Sequence, residues 1–184
     1  MDNRVGFGPR LLAALIDGLI VGIVGLVVGG TVGGMLGGGA GGALGGALGG
    51  SAGESAAAGA ALGAALGAVF GAMAAFGGFV FLYSLIEAFA GASPGKMMLK
   101  LKVGLEDGRQ ASVPTWVARW AVKYAGTLLG MLALLPGLHL LGALAPLATV
   151  VIFVGCFLAL GDKRQALHDL AARTAVFRRS DLVS

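Results

Sequence analysis

The sequence has few charged residues and almost no cysteine. Charged side chains make up 12% of its 184 residues, against about 25% in an ordinary soluble domain. A soluble fold of this size needs more polar surface to cover its core, which excludes that class. The single cysteine, Cys156, excludes a disulfide framework and a metal site built from cysteines. His139 and His168 are too isolated to hold zinc, so we expect no metal.

Apolar residues and glycine take the place of the missing charge. Apolar residues account for 57% of the chain, and 35 further residues are glycine. Disordered chains are poor in apolar residues and rich in charge, and collagen requires glycine at every third position. Neither description fits. The composition instead indicates an integral membrane protein with an unusually high content of glycine.

The positive charges are grouped along the chain. All 13 lysines and arginines lie in three segments, 4–10, 96–123 and 163–179. A nucleic-acid-binding protein would gather them on one soluble surface, so we expect no nucleic-acid partner. Basic residues that bracket apolar stretches are typical of cytoplasmic loops, where they contact anionic lipid headgroups.

Several apolar stretches reach the ~20 residues needed to cross a bilayer. The first follows Arg10 and contains Asp17; it lacks a clear cleavage site, so we expect a retained span rather than a signal peptide. An even number of spans places both termini in the cytoplasm. We therefore expect a single membrane domain, 1–184, that is an all-α, four-span helical bundle. Its spans are about 11–30, 66–90, 116–135 and 138–160, with a cytoplasmic loop at 91–115 and a cytoplasmic tail at 161–184.

Glycine recurs every fourth residue in the middle of the chain. Residues four apart share one face of a helix, and small residues on that face let two helices approach closely. Ser51, Glu54 and Ser55 mark a turn, so we expect an antiparallel glycine-zipper hairpin inserted at about 30–65. Projection from the membrane, packing within it and disorder all remain open for this insertion. The expected packing residues are Gly33, Gly37, Gly41, Gly45, Gly49, Gly59, Gly63, Gly67 and Gly71.

The loop after the second span has a different pattern. Apolar residues and lysines alternate from Leu99 to Val103, and Glu106 to Arg109 resembles a turn. Alternation with period two is typical of a strand with one buried face. We expect a small cytoplasmic β-ribbon here.

Charged residues at the ends of the apolar stretches form the candidate site. Asp17 follows Arg10 by two helical turns, so both lie on one face, and Arg119 and Lys123 are spaced by four. Two interpretations remain open: an electrostatic clamp that locks the bundle, or a cation or proton site, since acids within membranes often mark such paths. The expected charge network is Arg10, Asp17, Glu87, Arg119 and Asp169.

Enzymatic motifs are missing. The segment from Gly91 to Lys96 is one residue short of a phosphate-binding loop, and Met97 stands where a magnesium-binding Ser or Thr is required. No Ser or Cys lies in a nucleophile motif. We expect no catalytic residues, no enzymatic activity and no cofactor.

Four ordered motifs resemble the RDD family of membrane proteins. They are the run from Arg10 to Asp17, the loop 91–108, Arg119, and the segment 165–176. The resemblance implies that Arg10, Asp17 and Asp169 are the arginine and two aspartates after which the family is named. It also implies a small multi-pass protein of the bacterial inner membrane, of poorly defined activity and with a suggested role in transport. The glycine repeat departs from the family pattern.

Two functions follow from these patterns. The first is transport of an ion or small solute through an intramembrane Asp/Arg network. The alternative is an accessory or assembly subunit that oligomerises, or docks into a larger membrane complex, through its glycine-zipper hairpin. A homo-oligomer or a membrane-protein partner is expected in either case.

Overall fold

The computed structural model describes residues 3–49 and 54–183. The described chain is mostly helical, with one small sheet. Its helices are α1 (Phe7–Val28), α2 (Gly34–Leu48), α3 (Glu54–Ala90), α4 (Pro94–Met98), α5 (Val113–Lys123), α6 (Ala125–Leu132), α7 (Leu141–Cys156) and α8 (Leu167–Ala171). A π-helical turn, Gly29–Gly33, joins α1 to α2. Two 3₁₀ turns lie at Phe157–Leu160, directly after α7, and at Arg179–Asp181, directly after the second strand. The two strands are β1 (Leu101–Leu105) and β2 (Thr174–Arg178).

Three helical stretches in the described residues are long and apolar enough to cross a membrane. They are Phe7–Leu48 with 42 residues, Ser55–Ala90 with 36 and Leu141–Leu160 with 20. Large apolar side chains along them are exposed, for example Leu19 at 65% and Phe153 at 65%. Exposed apolar patches of this extent require an apolar surrounding. A lipid bilayer supplies it, so the chain is a membrane protein.

The predicted third span, 116–135, is not one long helix. Helix α5 ends at Lys123 and α6 begins at Ala125, while the backbone hydrogen bonds of Tyr124 continue on both sides of the break. Helix α5 buries Trp116, Arg119 and Trp120, so it combines charged and apolar side chains instead of presenting an apolar surface all round. The count of four spans therefore stays a prediction.

The chain divides into two compact units, and Gly18–Tyr83 forms one of them. Within it, glycines of the π-helical turn and of α2 approach the backbone of α3. A Cβ atom at Gly41 would lie 2.1 Å from the carbonyl oxygen of Gly63, and the same approach recurs for Gly33 with Gly71, Gly37 with Gly67, and Gly45 with Gly59. All nine glycines that we expected to pack have such a close backbone neighbour. Residues 51–53 of the predicted turn at 51–55 lie outside the described residues.

The other unit comprises Met1–Asp17 and Ser84–Ser184 and contains the sheet. Strands β1 and β2 pair antiparallel, with Val103 opposite Val176, and both side chains are at most 1% exposed. Trp116 donates its indole N–H to the carbonyl oxygen of Val103 at 3.0 Å, which fixes α5 against β1. The expected small β-ribbon is therefore present. Its second strand comes from the C-terminal tail and not from the loop itself.

Prolines mark helix boundaries in this unit. Pro9, Pro94 and Pro114 lie in the first turns of α1, α4 and α5, where the missing N–H would have no helical partner.

Helices α6 and α7 pack closely at Gly126, where a Cβ atom would lie 2.0 Å from the Thr149 hydroxyl.

Candidate functional site

Six charged side chains from five helices meet in the unit that contains the sheet. We call them the charge cluster. Its members are Arg10 of α1, Glu87 of α3, Lys96 of α4, Arg119 and Lys123 of α5, and Asp169 of α8.

Asp169 is the carboxylate at one side of the cluster, and it is fully buried. Its Oδ2 accepts hydrogen bonds from Arg10 at 2.5 Å and from the backbone N–H of Ala166 at 3.1 Å, and its Oδ1 accepts one from Arg119 at 2.7 Å. Burial by itself raises the pKa of Asp169, but the charges of Arg119 and Arg10 outweigh it and hold that pKa well below its usual range. Asp169 is therefore ionised and bound from two helices.

Glu87 is the second carboxylate, one turn before the end of α3, and it is 3% exposed. Its Oε1 accepts hydrogen bonds from Arg119 at 2.6 Å and from Lys96, and its Oε2 accepts one from Lys123 at 2.5 Å. Arg119 thus bridges the two carboxylates through different nitrogens. This geometry requires the planar, forked guanidinium of arginine.

The cluster carries more positive than negative charge. Four cations surround two carboxylates, so the formal excess is two positive charges. Arg10 also donates to the backbone carbonyl oxygens of Val5 at 3.0 Å and Arg164 at 2.6 Å. Burial lowers the pKa of Lys96 to about 8, against the opposing effect of Glu87.

Asp17 has different partners. Its Oδ2 accepts a hydrogen bond from the Ser93 hydroxyl at 2.5 Å, and its Oδ1 accepts one from the backbone N–H of Gly95 at 2.7 Å. A Cβ atom at Gly95 would lie 2.3 Å from the carbonyl oxygen of Ala13. Asp17 therefore joins α1 to the start of α4 at a point where only glycine fits.

Four of the five residues in the expected charge network are thus brought together: Arg10, Glu87, Arg119 and Asp169. The sequence also indicated Lys123, because it follows Arg119 by four residues and so lies on the same helix face. Lys96 was not predicted, because a lysine after a Pro-Gly turn resembles any surface lysine. Its burial, at 8% exposure, and its ion pair with Glu87 show that it belongs to the cluster.

A cavity of about 280 Å³ adjoins the charge cluster. Its wall includes all four cations of the cluster, together with His168, Cys156 and a larger apolar portion. His168 is 5% exposed, and its Nδ1 has no hydrogen-bond partner within the described part of the chain. Burial, with the charge of Arg119, lowers the pKa of His168 to about 3, so its imidazole is neutral.

Residues 3–49 and 54–183 contain no group of three His, Cys, Asp or Glu side chains that could hold a metal ion. The oxygens of both carboxylates in the cluster are already bonded to protein cations.

Comparison with known proteins identifies the family. The model of the RDD family matches residues 4–173, nearly the whole chain, as the sequence motifs predicted. No curated protein and no solved structure matches the chain. The match includes every residue of the charge cluster as well as Asp17. This membrane protein therefore belongs to the RDD family.

Proposed function

We propose that the chain transports an ion or small solute across the membrane and that the charge cluster is part of the binding site. The observation that carries this proposal is the excess of cations over carboxylates beside a cavity. A clamp that only locked helices together needs no more cations than carboxylates, because taking each ion out of water costs several kcal/mol. Two surplus cations at a buried site favour a role in binding.

The membrane setting supports the same proposal. Ionisable residues near apolar spans are costly, and they commonly mark the paths of ions and substrates. The grouped lysines and arginines favour a multi-pass arrangement in the bacterial inner membrane, with both termini in the cytoplasm. The chain is small for a transporter, so we propose that it works as a homo-oligomer or with a membrane-protein partner.

Flux measurements in proteoliposomes test transport directly. Vesicles containing the purified protein are assayed with a panel of cations, inorganic anions and small organic acids, against empty vesicles. Lys123→Gln removes one cation of the cluster, whereas Lys163→Gln removes an exposed one and serves as the control. We expect flux of at least one solute, lost in Lys123→Gln and kept in Lys163→Gln. Absence of flux for every solute, or equal flux in both variants, overturns the proposal.

A second function, assembly into a larger complex, is favoured by helix length. The two long helical stretches have 42 and 36 residues, about twice what a bilayer requires. Leu44 and Leu62 are 62% and 63% exposed in the segments where the glycines pack against one another. We propose that these outward faces bind a second copy or a partner subunit.

Native purification in mild detergent tests the assembly function. If assembly depends on these faces, Leu44→Ala with Leu62→Ala lowers the mass of the purified complex, while Leu15→Ala, equally exposed at 62% in α1, does not. A monomeric native protein rules out the assembly function. Unchanged mass in the double variant rules out these faces.

A further inference from the structure

The charge cluster has room for negative charge. Each carboxylate already binds at least two protein cations, so neither is available as the main ligand of a further cation. The ammonium groups of Lys96 and Lys123 each donate one hydrogen bond to Glu87, although an ammonium has three hydrogens to donate. Within the described residues the two ammonium groups therefore have donors that are not bonded to Glu87, and the cluster has an excess of two positive charges at the wall of the cavity.

His168 provides an independent indication of a missing partner. Buried polar atoms nearly always have a hydrogen-bond partner, so an unsatisfied one calls for an explanation. The Nδ1 of His168 is such an atom, and His168 lines the same cavity as the four cations. A neutral imidazole can carry its proton on Nδ1 and donate it to a bound oxygen.

The rest of the cavity wall is apolar and aromatic. Phe7, Leu11, Phe153, Phe157 and Val176 contribute to it. At about 280 Å³ the cavity is larger than the ~150 Å³ space that accommodates benzene in an apolar core. A small inorganic anion would leave this apolar portion unoccupied.

We propose that the cavity binds an organic anion, with a carboxylate or phosphate group at the four cations and His168 and an apolar body against the phenylalanines. This assignment rests on the proposed transport function and names its substrate class. The same chemistry occurs in soluble organic acids and in anionic lipids. The two sources differ in the length of the apolar body, so separate probes distinguish them.

Calorimetric titration of the purified protein in non-ionic detergent measures binding. Hexanoate represents the soluble organic acids, and dihexanoyl phosphatidic acid represents the anionic lipids. Inorganic phosphate tests the anionic group without an apolar body, and hexanol tests the apolar body without a charge. We expect hexanoate or the phosphatidic acid to bind, and whichever binds more tightly identifies the source. Binding of neither, or binding of phosphate or hexanol as tightly as both organic anions, overturns the assignment.

Variants locate the binding. His168→Asn and Lys123→Met should each weaken organic-anion binding by about tenfold or more, since a hydrogen bond to a charged group contributes ~1.5–3 kcal/mol. Lys163→Met should leave it unchanged. Should Lys123→Met fail to fold, His168→Asn alone decides the outcome. Unchanged affinity in a folded His168→Asn variant contradicts the proposed site.

Cys156 gives a readout within the cavity. It is the only cysteine of the chain and lines the cavity, so a thiol-specific reagent reports on access there. The bound anion should slow alkylation of Cys156, whereas hexanol should not. Equal alkylation rates with and without a saturating anion place the binding elsewhere and overturn the proposal.

The binding and flux experiments test the anion assignment and the transport function independently. Organic-anion binding without flux of any solute removes the transport function and leaves the binding site standing. Flux of a cation without organic-anion binding removes the anion assignment and leaves transport standing.

Discussion

Arg119 donates its Nε–H to Oδ1 of Asp169 at 2.7 Å, and the two side chains are 3% and 0% exposed. They lie 50 residues apart in the chain, so the pair joins α5 to α8. Arg119 also reaches Glu87 of α3. A single guanidinium of α5 therefore bonds to side chains of two other helices.

The first prediction concerns the loss of this guanidinium. Arg119→Ala leaves Glu87 and Asp169 buried with fewer partners, and breaking a buried ion pair in this way costs ~3–5 kcal/mol. We expect a marked fall in the unfolding temperature, measured by circular dichroism in detergent. Arg119→Lys should recover only part of the loss, because an ammonium cannot bridge both carboxylates as a fork does.

Arg109→Ala is the matched control for this experiment. Arg109 also forms an ion pair, at 2.7 Å with Asp107, but its side chain is 69% exposed. Exposed pairs contribute little to stability, so the unfolding temperature should stay close to that of the parent. Similar losses in Arg109→Ala and Arg119→Ala would contradict a structural role specific to the cluster.

The second prediction concerns the glycine faces of α2 and α3. Gly41→Ala places a Cβ atom 2.1 Å from the carbonyl oxygen of Gly63, so the helices must separate, at a cost of ~1–3 kcal/mol. Gly39→Ala meets nothing within 4 Å, and alanine is the better helix former. We expect a lower unfolding temperature in Gly41→Ala and an equal or higher one in Gly39→Ala. The same response in both variants would show that the observed helix contact does not determine stability.

Sequence patterns identified the apolar helices and most of the charge cluster for one physical reason. Charges are rare in this chain, and those that occur at the ends of apolar stretches must find partners when buried. Arg10, Glu87, Arg119 and Asp169 were recognisable in this way. Lys96 was not, since its burial results from the packing of the short helix α4.

Long-range pairings were beyond the sequence patterns. Helical spacing placed Asp17 on the same face as Arg10, but its observed partners, Ser93 and Gly95, are more than 75 residues away. Strand β1 was expected from its alternation, whereas its pairing with β2 depends on the register between Leu101–Leu105 and Thr174–Arg178. No local signal carries that information.

The third prediction tests the link between Asp17 and α4. Asp17→Ala removes the acceptor for both the Ser93 hydroxyl and the Gly95 N–H, and hydrogen bonds to a charged group contribute ~1.5–3 kcal/mol each. Asp17→Asn keeps an oxygen for Gly95 and should lose less. Thermal unfolding should rank the parent, Asp17→Asn and Asp17→Ala in that order. Asp162→Ala, which removes an exposed carboxylate, is the control and should match the parent.

The last prediction concerns pH. The pKa of His168 falls from 6.5 to about 3 in the folded chain because of burial and the charge of Arg119, despite Asp169 at 3.7 Å. Below pH 6.5 the unfolded chain binds a proton that the folded chain does not, so stability falls with pH down to about 3. Between pH 7 and 4 the loss is on the order of 3 kcal/mol. His168→Asn cannot titrate and should flatten this part of the stability profile in urea unfolding, whereas His139→Asn, at an exposed position, should not. A profile for His168→Asn as steep as that of the parent would show that His168 is not the group responsible.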